Sequence, residues 1–178
     1  MPAKKALIII AQNGFQDIEL EGTRRGLLDA GFDIALASHD ASECIGKFGA
    51  KERAKLSLRD VHVKDFDRIV FIGGPGARTL IDSKNAHRIA REAVEAGKPL
   101  GAICIAPMIL ASAGVLRGKH ATVWNEDGGQ AGFLRAQGAV YEARSVVRDG
   151  LILTANGPAA SDEFGHAFAM LGEVTETV

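Results

Sequence analysis

Cysteine is scarce in this chain: Cys44 and Cys104 are the only two among 178 residues. A secreted disulfide scaffold would carry more cysteine in a shorter chain. No Cys or His stands at ligand spacing to either thiol, and the five histidines, His39, His62, His87, His120 and His166, are scattered singly. No metal site is therefore expected. Net charge is also nearly absent, at −1, so no global field draws the protein to nucleic acid or to an anionic membrane. Long apolar runs are missing too. The basic pair Lys4-Lys5 precedes Ala6-Leu7-Ile8-Ile9-Ile10-Ala11, which is too short for a signal segment with its cleavage site and far too short to span a bilayer. The expected compartment is the cytoplasm. No repeat, low-complexity stretch or Pro/Ser-rich linker interrupts the chain, so residues 1–178 are expected to form a single domain.

Hydrophobic residues make up 47% of the sequence and charged ones 24%, the balance of an ordinary globular protein. The apolar segments alternate between strand and helix. Residues 5–11 read as a parallel strand buried on both faces. Residues 18–30 follow partial helical spacing and stop at Gly31; residues 32–38 form the next strand. The stretch 41–65 is mixed, with short strands or a hairpin-like excursion at Cys44-Ile45-Gly46 and Leu56-Ser57-Leu58. Residues 68–72 are a buried strand ending in Gly73-Gly74-Pro75-Gly76. A helix follows, with Ala86, Ile89, Ala90, Ala93 and Val94 on one face, and Gly97-Lys98-Pro99 ends it. Leu100-Gly101-Ala102-Ile103 is a strand that runs directly into Cys104, and residues 105–115 are expected to be helical. Further strands are expected at 121–124, 145–147 and 151–154, and a last helix from after Pro158 to about Gly172. This alternation predicts an α/β fold, an open, mostly parallel sheet with helices on both faces. Ligands of such sheets sit at the carboxyl ends of the strands. Cys104 and the Gly73–Gly76 turn each follow a strand and so belong to that edge.

Three features carry chemistry. Gly74-Pro75-Gly76 suggests a dinucleotide-binding turn, but the third glycine of that pattern would fall at position 79, which is Thr79. A tight strand-to-helix turn accounts for it as well, and such a turn exposes backbone N–H groups that can hold an oxyanion. Cys104 lies between a strand and a helix, where a nucleophile projects into a cleft. A helix N-terminus beside the sulfur is expected to favour thiolate, against the alternative of an inert buried cysteine. Asp17 and Glu19 fall at a helix start, where carboxylates commonly cap. Glu19 has apolar neighbours on both sides, and a carboxyl group pointing inward there needs a partner, or its pKa rises.

Four segments, taken in order, resemble the ThiJ/PfpI superfamily, which has the flavodoxin-like fold of class I glutamine amidotransferases. They are Gly14-Phe15-Gln16-Asp17-Ile18-Glu19-Leu20, Gly73-Gly74-Pro75-Gly76-Ala77, Gly101-Ala102-Ile103-Cys104-Ile105-Ala106-Pro107 and the stretch from Asp149 to Pro158. The resemblance implies that Cys104 is the functional residue. It implies that Glu19 hydrogen-bonds the sulfur and tunes its thiolate and its oxidation products, and that the N–H groups of Gly74 and Ile105 form an anion pocket. It also implies a homodimer. The chain departs from the pattern where many members carry histidine: Ile105 follows the cysteine, and Trp124 stands nearest the place of the other family histidine. Trp124 and Asn125 are expected to wall the pocket.

The function implied first is a cysteine-dependent enzyme acting on small reactive carbonyl compounds, of the glyoxalase or deglycase kind. Cys104 would be its nucleophile and Glu19 its proton shuttle, with no cofactor. Two alternatives stand beside it. One is a redox sensor or oxidative-stress protein acting through Cys104 oxidation. The other is a hydrolase of C–N bonds, peptidase or amidase, or an isonitrile hydratase, against which Ile105 weighs.

Overall fold

The computed structural model of the protein describes residues 2–173; residue 1 and residues 174–178, the ends of the expected domain, lie outside the described residues. The chain opens with β1 (Lys5–Ile9), β2 (Asn13–Phe15), α1 (Asp17–Asp29), β3 (Asp33–Ser38), β4 (Glu43–Gly46), β5 (Lys51–Arg53) and β6 (Leu56–Ser57). It continues through β7 (Arg68–Phe71), α2 (Lys84–Glu95), β8 (Leu100–Ile103) and α3 (Pro107–Ser112). It closes with β9 (His120–Ala121), α4 (Gly129–Ala136), β10 (Val140–Tyr141), β11 (Val146–Asp149), β12 (Ile152–Ala155) and α5 (Ser161–Met170).

Seven strands form one sheet in the order β11-β12-β8-β7-β1-β3-β6. Every neighbouring pair is parallel except β11 with β12, which form an antiparallel hairpin at one edge. The centre of this sheet is the driest part of the molecule. Every residue of β7 and β8 is buried, which is why, Arg68 apart, both read as apolar runs instead of alternating ones. Helices cover both faces: α1 and α5 pack on each other, and α2 packs beside α3. The α1–α5 crossing is very close. A β-carbon on Gly26 of α1 would lie 2.2 Å from the carbonyl carbon of Gly165 in α5, so this crossing, which helps to fix where α1 presents Glu19, admits no side chain at that position.

Several local expectations are corrected. The strand expected over 5–11 stops at Ile9, and residues 13–15 form β2 in a separate three-stranded sheet, β2-β4-β5. Within the excursion at 41–65, β4 and β5 join β2 in the small sheet, while β6 adds to the main sheet beside β3. The expected strand 121–124 is confined to His120–Ala121. Thr122 donates its N–H to the Thr154 hydroxyl at 3.0 Å and Trp124 donates to the Cys104 carbonyl at 2.8 Å, so these residues leave the ladder to serve the turn at Cys104. The helix expected over 105–115 is reduced to Pro107–Ser112. Ile105 and Ala106 belong to a turn closed by the Ala106 N–H on the Ile103 carbonyl at 3.1 Å. Helix α4 and strand β10 lie in a stretch whose glycines and charges hide any period.

Candidate active site

Two strand ends and one helix start converge here. Chain leaving β8 turns at Cys104, the only non-glycine residue with positive φ among the described residues, at 65°. For a cysteine this conformation is strained, and such strain persists only where the surroundings enforce it. The Cys104 N–H is bound to the Ala155 carbonyl at 2.9 Å, and its carbonyl accepts the Trp124 N–H, so β12 and the 122–124 segment hold the turn from both sides. The side chain is 9% exposed. It sits at the floor of a cleft of about 210 Å³, whose walls include Gln16, Lys47, Arg78, Trp124, Glu126 and Pro158 together with Gly74 and Ile105.

The turn after β7 approaches the cysteine from the neighbouring strand. A β-carbon on Gly73 would lie 2.6 Å from Cys104 Cβ and 2.8 Å from Glu19 Oε1, so only glycine lets the three groups meet. Gly74 has φ at 102° and abuts the β2–α1 link: a β-carbon there would lie 2.5 Å from the Gln16 nitrogen. That is the structural reason for the glycine cluster that suggested a phosphate-binding turn. The N–H groups of Gly74 and Ile105 are both hydrogen-bonding neighbours of the Cys104 sulfur, and they favour negative charge on it.

Helix α1 brings Glu19 in from the opposite side. Gln16, not a carboxylate, caps the helix: its side-chain oxygen accepts from the Ile18 N–H at 3.0 Å. Asp17 turns away from the helix start and accepts from the N–H groups of Phe48 and Ala50 at 2.9 and 3.0 Å, which corrects the capping role expected for it. Glu19 is fully buried. Its Oε1 accepts the Gly73 N–H at 3.0 Å, and its Oε2 has no hydrogen-bond partner among the described residues. The Cys104 thiol is a neighbour of this carboxyl, and its effect opposes the rise in the Glu19 pKa.

Burial decides the protonation of both groups. Loss of solvation pushes the Glu19 carboxyl up to about 8, against smaller opposing effects from the Gly73 N–H, the Cys104 thiol and the Lys47 charge. The Cys104 thiol is pushed up to about 12, first by burial and then by the charge of an ionised Glu19. The sequence led to the opposite expectation, a thiol acidified by a helix N-terminus. The reason for the difference is local: α3 is six residues long, starts three residues beyond the cysteine and opens on proline, which has no N–H to offer. The two groups titrate as a pair. The first proton leaves near pH 8, and the second is held because two negative charges cannot share one dry site. In the singly ionised pair the Gly73 N–H favours charge on the carboxylate, and the Gly74 and Ile105 N–H groups favour it on sulfur.

None of the five histidines lines the cleft. Trp124 does line it, 38% exposed, with its ring against Gly157. Asn125 is not part of this wall: its Oδ1 accepts the Ala131 N–H at 3.0 Å and it borders a separate groove. Lys47, Arg78 and Glu126 reach the cleft from segments with no motif, and only the fold assembles them with Gln16 of the Gly14–Leu20 segment. Cys44 is fully buried in β4 and unpaired. Among the described residues no group of three or more His, Cys, Asp or Glu is placed to hold a metal ion, and no helix is long and apolar enough to cross a membrane.

Comparison with known proteins agrees with this geometry. The chain is 34% identical over 116 residues to a deglycase of Pyrococcus horikoshii, covering 65% of this chain and 70% of the relative. It is 27% identical over 164 residues to a glutathione-independent glyoxalase of Caenorhabditis elegans, covering 90% and 84%. The crystal structure of a ThiJ/PfpI domain protein from Brachyspira murdochii superposes with a TM-score of 0.90 at 26% identity, covering 96% of this chain and 97% of that one. The family model described as DJ-1/PfpI matches residues 4–171. With a strained cysteine after β8, a buried glutamate beside it and a parallel sheet that places both at its carboxyl edge, the chain belongs to the DJ-1/PfpI family.

Proposed function

We propose that this chain is a cysteine-dependent enzyme of the glyoxalase or deglycase kind, acting on small reactive carbonyl compounds. The observation that carries this reading is the fully buried Glu19 carboxyl beside Cys104 at a small cleft, with two N–H groups beside the sulfur. A buried carboxyl held up to about 8 gives and takes a proton near neutral pH.

The chemistry runs as follows for a 2-oxoaldehyde. The Cys104 thiolate adds to the aldehyde carbon, a C–S bond forms, and the carbonyl oxygen takes the proton of Glu19 to give a hemithioacetal. The Glu19 carboxylate then removes the proton from that carbon. The electron pair moves toward the adjacent ketone oxygen, and the Gly74 and Ile105 N–H groups stabilise the enediolate that results. The proton returns to the adjacent carbon, and the first carbon becomes a thioester. Water releases a 2-hydroxy acid and regenerates the pair. One carbon is oxidised, its neighbour is reduced, and one water is added overall. Glu19 suits this sequence because the transferred proton is on carbon next to a carbonyl. Expelling an amine asks for a stronger proton donor, normally imidazole, and no histidine lines the cleft.

Oxidation is the second reading. Peroxide reaching the same sulfur would give sulfenic and then sulfinic acid, and the cleft leaves Cys104 9% exposed. One experiment addresses both: steady-state turnover of methylglyoxal by wild type and Cys104→Ser, with intact mass of peroxide-treated protein alongside. Turnover that vanishes in Cys104→Ser supports the enzyme. Absent turnover with a gain of two oxygens at Cys104 supports the redox role and refutes the enzyme.

A further inference from the structure

Lys47 and Arg78 line the cleft beside Cys104, yet neither side chain has a carboxylate or carbonyl partner among the described residues. Some cations elsewhere on this surface are paired, as Arg24 is with Glu52 at 2.7 Å, Arg25 with Asp162 at 2.9 Å and Arg88 with Glu92 at 3.0 Å; what sets Lys47 and Arg78 apart is their place in the cleft wall beside Cys104. The Lys47 ammonium lies over the Phe48 ring, 5.4 Å from its centroid, and both cations sit on anchored segments. The Lys47 main chain donates to the Phe15 carbonyl at 2.7 Å, and the Asp17 carboxylate holds the same turn through Phe48 and Ala50. Arg78 lies on the short helical turn from Pro75 to Leu80, whose Thr79 hydroxyl is bound to the Gly76 carbonyl at 2.8 Å. The charge of Lys47 reaches as far as Glu19. Glu126 is the only acidic residue of the wall, so two cations face one anion there. The cleft volume of about 210 Å³ equals that of about seven liquid waters, which is more than the five heavy atoms of methylglyoxal fill.

We infer that Lys47 and Arg78 form an anion subsite next to Cys104, and that the substrate is a small carbonyl compound carrying a carboxylate or a phosphate. The substrate half of this inference rests on the carbonyl reading above; the anion subsite does not. Arginine presents a planar fork to either group and lysine a point charge, and both act across a partly enclosed space where screening is reduced.

The test uses two alkylating reagents of nearly equal size, iodoacetate and iodoacetamide, on the intact protein. Both form the same C–S bond at Cys104 and release iodide, so their rate ratio cancels any change in thiolate population or access. Iodoacetate is favoured over iodoacetamide by about three- to tenfold relative to the same ratio on glutathione at low salt, and the preference collapses near 1 M salt. In Lys47→Gln/Arg78→Gln the ratio falls to that of glutathione, and in Glu126→Gln it rises above wild type. Inorganic phosphate and pyruvate, tested separately, slow iodoacetamide labelling of wild type, and the more effective one identifies the anion held. A wild-type ratio equal to or below that of glutathione overturns the subsite, as does a ratio unmoved by the double substitution or protection by neither anion. A protein inactive on methylglyoxal that keeps the raised ratio refutes the carbonyl reading and leaves the subsite standing.

Discussion

Replacing Glu19 by glutamine should make folding stability less dependent on pH. In the unfolded chain the carboxyl ionises from its ordinary value of 4.5, while burial in the native protein holds the proton up to about 8. A group whose native pKa is raised in this way contributes stability that is fully present below 4.5 and lost as pH rises toward 8. At about 1.4 kcal/mol per pH unit, the displacement from 4.5 to about 8 amounts to about 5 kcal/mol. Most of that loss falls between pH 5 and 8. Native stabilities are about 5–15 kcal/mol in total, so the effect is large enough to measure. Glutamine keeps the shape and cannot ionise. Urea unfolding of wild type and Glu19→Gln at intervals from pH 5 to 8 should therefore show the variant gaining on wild type by about 4 kcal/mol across the series. The comparison cancels every other group that titrates alike in both proteins. Cys104 stays out of the window, since its thiol is protonated in both folded and unfolded chains below pH 8. A difference that stays constant from pH 5 to 8 would refute the buried, protonated carboxyl and the proton shuttle built on it.

Two further outcomes follow from the same geometry. Gly73→Ala places a methyl group 2.6 Å from Cys104 Cβ and 2.8 Å from Glu19 Oε1. It should destabilise the fold by about 1–3 kcal/mol and lower Cys104 reactivity together with it; thermal unfolding and thiol labelling check both, and wild-type values for each would contradict the packing described. Casein and short fluorogenic peptides should not be cleaved, because no histidine lines the cleft; peptide turnover that disappears in Cys104→Ala would overturn the mechanism.

The parallel sheet was legible because its central strands are buried on both faces and therefore mostly apolar, as Ile69, Val70 and Phe71 show. The position of Cys104 at the sheet edge was legible for the same reason, since β8 runs straight into it. The protonation of the site was not. The helix expected beside the sulfur is short and opens on Pro107, and the degree of burial of Glu19 depends on how α1 crosses α5. Asp17 was misread because it satisfies the loop at Phe48 and Ala50, a long-range contact that mimics a cap in sequence. Lys47, Arg78 and Glu126 are ordinary surface charges along the chain and become neighbours only through the turns at 46–50, 75–80 and 124–126. Asn125 sits next to Trp124 in sequence, yet its side chain turns back to the start of α4.

The shared proton is tested most directly by the pH dependence of Cys104 alkylation with iodoacetamide, measured from pH 6 to 10 in a Cys44→Ser background with Glu19 and with Glu19→Gln. With Glu19 present, the rate should rise with an inflection near 8, where the pair loses its first proton. In Glu19→Gln that inflection should move above 8 because burial of the thiol persists without the carboxylic acid beside it, and stay below 12 because the carboxylate charge is gone. The same inflection in both proteins would contradict a proton shared between Glu19 and Cys104.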